Sequence, residues 1–157
     1  MASTTFSGPV TSTNGFIGDL TGNITGNVTG NIAGTGRITH ATTSAINATA
    51  TATAAEVATG YITSTSASAT AITLPTGTLL GAALGAVRGT VFDLYVDNTA
   101  GASTVTMVVA VNGILSSGAA DTPGSFGDLT VASGATGIGR FTLMFSSATA
   151  YVFTRTA

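Results

Sequence analysis

The side chains able to move protons, hold metals or attack carbonyls are few in this chain. There is one histidine, His40. The acids are Asp19, Glu56, Asp93, Asp97, Asp121 and Asp128, the bases are Arg37, Arg88, Arg140 and Arg155, and there is no lysine and no cysteine. A serine triad needs a histidine oriented by a carboxylate. No carboxylate or second histidine stands at ligand spacing from His40, which reads as a solvated or polar-packed side chain. Asp93 and Asp97 share one face of a strand, but at ~3.3 Å per residue they stand about 13 Å apart, too far to share a proton or a metal. Asp121 and Asp128 lie in a glycine-rich loop and could help bind a cation, although loop carboxylates are ordinarily just solvated. Gly134-Ala135-Thr136-Gly137-Ile138-Gly139 has the texture of a phosphate loop, without the lysine and with a strand expected after it. The residues therefore predict no enzyme, no metal and no cofactor.

Charge excludes further classes. Only 6% of the 157 residues are charged, against about 25% in ordinary globular chains. Four scattered arginines make no basic patch for nucleic acid. No apolar run approaches the ~20 residues of a membrane-spanning helix. The opening Met1-Ala2-Ser3-Thr4-Thr5 has neither basic nor apolar character, so no signal peptide is expected. With the absence of cysteine, disulfide and thiolate chemistry are out of reach. A soluble monomer usually carries surface charge, so a surface this neutral suits a chain that works in an assembly.

The most ordered pattern is a repeat. Leu20-Thr21-Gly22-Asn23, Ile24-Thr25-Gly26-Asn27, Val28-Thr29-Gly30-Asn31 and Ile32-Ala33-Gly34 place an aliphatic residue at every fourth position. A helix would hold glycines in its interior, each costing about 1 kcal/mol relative to Ala. An extended strand sets Leu20, Ile24, Val28 and Ile32 with the glycines on one face and Thr and Asn on the other. Four aliphatics on one thin strand make no core, and repeated units of this kind need neighbours. The expectation is an intertwined β stalk, a homotrimer, with Leu20, Ile24, Val28 and Ile32 as oligomerisation residues. The alternative is a flexible Gly/Asn/Thr linker, which has no reason to keep its aliphatics in phase.

Before the repeat, residues 1–18 read as an extended arm punctuated by Gly8-Pro9 and Asn14-Gly15, with Phe6 and Phe16 as its anchors on a partner or sister chain. After it, the Ala/Thr/Ser-rich stretch 41–58 reads as a connector. Its Thr49, Thr51 and Thr53 alternate with Ala, too few for an ice-binding array, and the sequon matches at Asn23, Asn27 and Asn47 are incidental in such composition. Residues 59–157 read as a separate β-sandwich knob. Short strands are expected at Tyr61–Thr65, Ala71–Leu74, Val91–Asp97, Thr104–Val111, Ile114–Leu115, Leu129–Val131, Phe141–Phe145 and Tyr151–Thr154. One short helix is expected from Thr78 to Val87, ended by Gly89. Phe92, Leu94 and Val96 should point inward, and Asn112-Gly113 should turn a hairpin. The fold class that results is mainly β: an arm and stalk, then an antiparallel, jelly-roll-like sandwich of about eight strands with one helix.

Two stretches resemble known families. FSGPVTSTNGFIGDLTGNITGNVTGN is similar to the N-terminal segments of tailed-phage virion proteins. The stretch from Gly60 to Val109 resembles small phage head decoration (cement) proteins, in which a short helix follows an LP strand and an F-x-x-x-V-x-N strand comes next. Here those positions are Leu74-Pro75, then Phe92, Val96 and Asn98. The resemblance implies a structural virion protein: a homotrimer with a β-rich knob, fixed to the outer surface of an icosahedral capsid and clamping neighbouring capsid subunits. It carries over no catalytic or binding residue; Phe6 and Phe16, the anchors read from the arm itself, are the residues expected to dock on the major capsid protein. The other reading from the same residues is a tail-fibre or receptor-binding knob, for which Tyr61, Tyr95, Tyr151 and Phe126 are the aromatics available to a glycan.

Overall fold

Inward-pointing residues at every second position, over strands of two to ten residues, make two sheets around one core. The computed structural model describes residues 40, 42–115 and 129–156. The chain divides into two units, Met1–Arg37 and Ile38–Ala157, and every described residue belongs to the second. The arm residues Phe6 and Phe16, the repeat residues Leu20, Ile24, Val28 and Ile32, and the loop acids Asp121 and Asp128 lie outside the described residues.

The stretch expected to be a connector is built into the fold. It forms β1 (Ser44–Ala45), β2 (Ala50–Thr51) and helix α1 (Ala54–Ala58), and it buries Ile46, Ala52 and Val57. A five-residue helix cannot hold itself. This one is closed by a reciprocal cap: the Thr53 hydroxyl accepts from Glu56 N–H at 3.2 Å and Thr53 N–H donates to Glu56 Oε2 at 2.7 Å. The Thr53 N–H, and the Thr53 hydroxyl that also donates to Glu56 Oε2 at 2.8 Å, hold the Glu56 carboxyl below its ordinary range.

Then come β3 (Tyr61–Thr63), β4 (Thr70–Thr73), α2 (Gly77–Leu84), β5 (Val91–Asp97), β6 (Val105–Val108), β7 (Gly113–Leu115), β8 (Thr130–Val131), a 3-10 turn at Gly134–Thr136, β9 (Ile138–Ser147) and β10 (Ala150–Arg155). Among the described residues, β3–β10 and α2 therefore match the eight or so strands and one helix expected for 59–157, while β1, β2 and α1 come in addition from the stretch 41–58. The six-stranded sheet has the order β1-β3-β5-β9-β10-β7 and the four-stranded sheet β2-β4-β6-β8. From β1 to β9 the chain changes sheet at every strand. Neighbours within a sheet then follow a full circuit and run parallel: β1 with β3, β3 with β5, β2 with β4, β4 with β6. The expected antiparallel pairing holds for β5–β9, β9–β10 and β6–β8 alone. The correction has a physical cause, since a parallel pair needs a crossover and here the crossover is a strand of the opposite sheet.

The hairpin expected at Asn112-Gly113 does not form. β6 is already paired on both sides, by β4 and β8, so it offers no edge to a returning strand. The turn instead carries the chain to the other sheet, where β7 pairs parallel with β10. Helix α2 is also shorter than expected. Gly85 at φ 57° closes it, with Ala86 N–H bonded to Gly81 O and Gly85 N–H to Ala82 O, leaving Val87 exposed beyond the end.

One core joins both sheets. Ile62, Leu94, Val96, Phe141, Leu143, Phe153 and Tyr151 face Ile72, Val105, Met107 and Val131. Phe141 and Phe153 stack at 5.1 Å, and the buried Tyr151 hydroxyl donates to Pro75 O at 3.1 Å. Of the inward trio on β5, Leu94 and Val96 are fully buried and Phe92 packs at the rim. Asn98, fully buried at the end of β5, ties the sheets together: its Nδ2 donates to Ser103 O (2.8 Å), Val131 O (3.2 Å) and Ala132 O (3.0 Å). Three carbonyls around one atom fix it as the nitrogen. Its Oδ1 accepts no hydrogen bond in this structure.

Two substitutions test this packing. Gly81→Ala should improve helix propensity by about 1 kcal/mol yet lower the urea midpoint, because the added carbon collides with Ala148 O of the β9–β10 turn. Asn98→Asp, which turns an acceptor toward three carbonyls, should cost about 2–4 kcal/mol in equilibrium unfolding. A neutral result for either would mean that the contact described does not hold the fold.

Candidate functional site

The outer face of the six-stranded sheet carries the densest set of functional side chains among the described residues. Alternation along β5 turns Asp93, Tyr95 and Asp97 outward, opposite the buried Leu94 and Val96. Register does the rest. Tyr61 on β3, Tyr95 on β5 and Arg140 on β9 are direct cross-strand neighbours, and Asp93 pairs with Thr142. The Tyr61 and Tyr95 rings stack with centroids 6.3 Å apart, and the Arg140 guanidinium lies 5.8 Å from the Tyr95 ring centre. His40 completes the group, 5.8 Å from Tyr61 and 5.6 Å from Tyr95. Its Nδ1 is 2.9 Å from Thr59 O, an acceptor, so Nδ1 carries the proton there. Gly60, at φ 72°, makes room: a β-carbon on it would meet the His40 ring at 2.5 Å.

The two carboxylates are committed to separate partners. Asp93 takes the Arg140 guanidinium in an ion pair and the Thr142 hydroxyl at 2.7 Å. Asp97 accepts from the Thr99 hydroxyl (2.6 Å), the Thr99 N–H (2.9 Å) and the Tyr61 hydroxyl (2.9 Å). Partial burial pushes the Asp93 carboxyl up, but Arg140 and Thr142 together outweigh it and hold the group below its ordinary range. The Thr99 hydroxyl and N–H hold Asp97 low against a smaller burial effect, and Tyr61 adds to them. Burial and the neighbouring Asp97 push the Tyr61 hydroxyl up.

The arrangement is a half-exposed, internally bonded surface of rings and paired charges. Among the described residues no carboxylate orients His40, and no group of three or more His, Asp or Glu side chains converges as a metal site would. The 3-10 turn at Gly134–Thr136 leads into strand β9, so the glycine-rich stretch has no helix N-terminus for a phosphate. No helix among the described residues is long and apolar enough to cross a membrane. Of the aromatics expected to face a glycan, Tyr61 and Tyr95 come together here, Tyr151 is buried, and Phe126 lies outside the described residues. Farther along the same face Val91, Met144, Val152 and Ile114 register as a row across four strands, with Val91, Met144 and Ile114 each more than half exposed.

The alternation on β5 already placed Asp93 and Asp97 on one face. The joining of Asp93 to Arg140, 47 residues away, needed the β5–β9 register, and nothing in the sequence signalled the seat of His40 on the tyrosines.

Both carboxylates are more acidic folded than unfolded. The stability they lend is complete above about pH 5 and is lost as pH falls through their folded values. Asp93→Asn with Asp97→Asn should therefore reduce the loss of stability between about pH 5 and about pH 2 relative to wild type, measured by urea unfolding across pH. An unchanged acid limb would remove these two groups as its cause.

Compared with known proteins, the chain matches no family model, no curated protein and no solved structure.

Proposed function

We propose that this chain is a structural virion protein, a homotrimeric decoration protein on the outer surface of a phage capsid that stabilises the shell by bridging its subunits. The observation that carries the reading is the order of elements around Pro75. Strand β4 runs into Leu74-Pro75, helix α2 follows, and β5 then carries Phe92 and Val96 and is followed directly by the buried Asn98. That is the order implied by the resemblance to head decoration proteins. Support also comes from composition, with 6% charged residues, and from the exposed apolar row Val91–Met144–Val152–Ile114, a surface suited to contact with other chains. In this reading the two-sheet unit is the knob, the repeat of Leu20, Ile24, Val28 and Ile32 is the trimer stalk, and the arm with Phe6 and Phe16 docks on the major capsid protein. Three linked contacts raise effective affinity without a strong single site. No enzymatic activity, cofactor, nucleic acid or membrane enters the mechanism.

The Tyr61–Tyr95 pair beside Arg140 favours one second reading, a tail-fibre or receptor-binding knob whose ring surface meets a glycan. Copy number separates the two: a decoration protein is present in high copy over the whole shell, a fibre protein in low copy at the tail.

The proposal makes two linked expectations. Light scattering at micromolar concentration should give the mass of three chains. Shells carrying the protein should also melt at a higher temperature than bare shells. A folded monomer would exclude the stalk, and equal melting would exclude the cementing role.

A further inference from the structure

Asn112-Gly113 forms the turn that takes the chain from β6 in one sheet to β7 in the other. Asn112 is exposed and sits at φ 64°, the only non-glycine residue at positive φ among the described residues. The turn is held from several sides. Gly113 N–H donates to Ala110 O at 2.9 Å, Tyr151 N–H donates to Asn112 O at 3.0 Å, and Gly77 N–H donates to Val111 O at 3.0 Å. Gly113 is pressed onto Tyr151: a β-carbon there would meet the phenol oxygen at 2.7 Å.

An asparagine followed by glycine has a reaction open to it, because the unbranched glycine lets its nitrogen reach the side chain. The Gly113 nitrogen attacks Asn112 Cγ. A new C–N bond closes a five-membered imide, the bond from Cγ to the side-chain nitrogen breaks, and ammonia leaves with the displaced proton. Water then opens the ring at either carbonyl, giving aspartate or isoaspartate. In the docked turn this attack is blocked, since the Gly113 proton is held on Ala110 O and the Gly113 backbone is fixed in register with Tyr151.

We propose that Asn112 is a latent deamidation site, unreactive while β7 lies on β10 and reactive when that edge lifts. β7 is a three-residue strand that, among the described residues, stands at the edge of its sheet and is paired on one side alone, which places it among the segments that open most readily. The isoaspartate product makes the opening permanent. Isoaspartate inserts one more carbon into the backbone ahead of Gly113, so the pairs Gly113–Tyr151, Ile114–Val152 and Leu115–Phe153 cannot re-form in register. A carboxylate also appears beside the exposed Val111.

The test is a time course of the full chain in mildly alkaline buffer, without urea, in urea below the unfolding transition, and in denaturing urea. Peptide mapping by mass spectrometry separates Asn112 from the other Asn-Gly pair, Asn14-Gly15. Conversion at Asn112 should be about tenfold or more slower in the native chain than in the unfolded one, the factor given by an opening free energy of only about 1.4 kcal/mol. The native rate should rise with urea before global unfolding begins, and Asn112→Gln should abolish conversion at this position. Equal native and unfolded rates would overturn the proposal, as would no conversion in the unfolded chain. A native rate that stays flat until the whole fold melts would overturn it too, because the reaction would then follow global unfolding and not release of β7.

Discussion

Two sheets that can hide their apolar rows only against each other set the terms for everything else here. Strands of two to four residues, such as β3, β4 and β8, carry one or two inward side chains apiece and bury nothing alone. Each gains shelter from the strand that follows it on the far side of the core. Ile62 on β3, Ile72 on β4, Leu94 on β5 and Met107 on β6 succeed one another across the same interior and are essentially fully buried. The winding is therefore a packing solution: a chain poor in large side chains fills one core by contributing to it from both sides in turn. Asn98 secures the arrangement where β5 gives way to β6, because its amide replaces water for carbonyls of the β5–β6 loop and of the end of β8 at once.

The long strands do a different task. β9 and β10 form an antiparallel pair within the larger sheet and supply its fully buried aromatic rings, Phe141, Phe145, Tyr151 and Phe153. Because β9 also pairs with β5 over seven residues, it joins the wound part to the C-terminal hairpin. The same pairing assembles the outer surface. Every outward residue of β5 acquires an outward neighbour on β9, and a surface of rings and paired charges results from the register that fills the core.

Much of this was legible along individual strands. Val91–Asp97 read correctly to the residue, with Leu94 and Val96 inward, because alternation is a property of one strand. Phe141, Leu143 and Phe145 were legible for the same reason. Strand partners were not. A loop that turns back along its own sheet and one that crosses to the other both look like a few Gly, Ser or Asn residues, so Asn112-Gly113 suggested a hairpin where the chain in fact changes sheets. The stretch 41–58 looked like a connector because Ala and Thr carry little hydropathic contrast. The Thr53–Glu56 cap was its one strong local signal. The outer surface was half legible: Asp93 and Asp97 from alternation, Arg140 and His40 only from long-range register and contact.

The parallel winding has a mechanical consequence. The first circuit is held to the next by two short ladders, Ser44–Ala45 on Ile62–Thr63 and Ala50–Thr51 on Ile72–Thr73. Tension entering from the N-terminal side loads these ladders ahead of the longer β5–β9 and β9–β10 pairings. The first coil is then the part that peels away, while the aromatic heart of the unit stays shut. A chain built this way yields at one end under strain, as a sacrificial link does, and spares the rest.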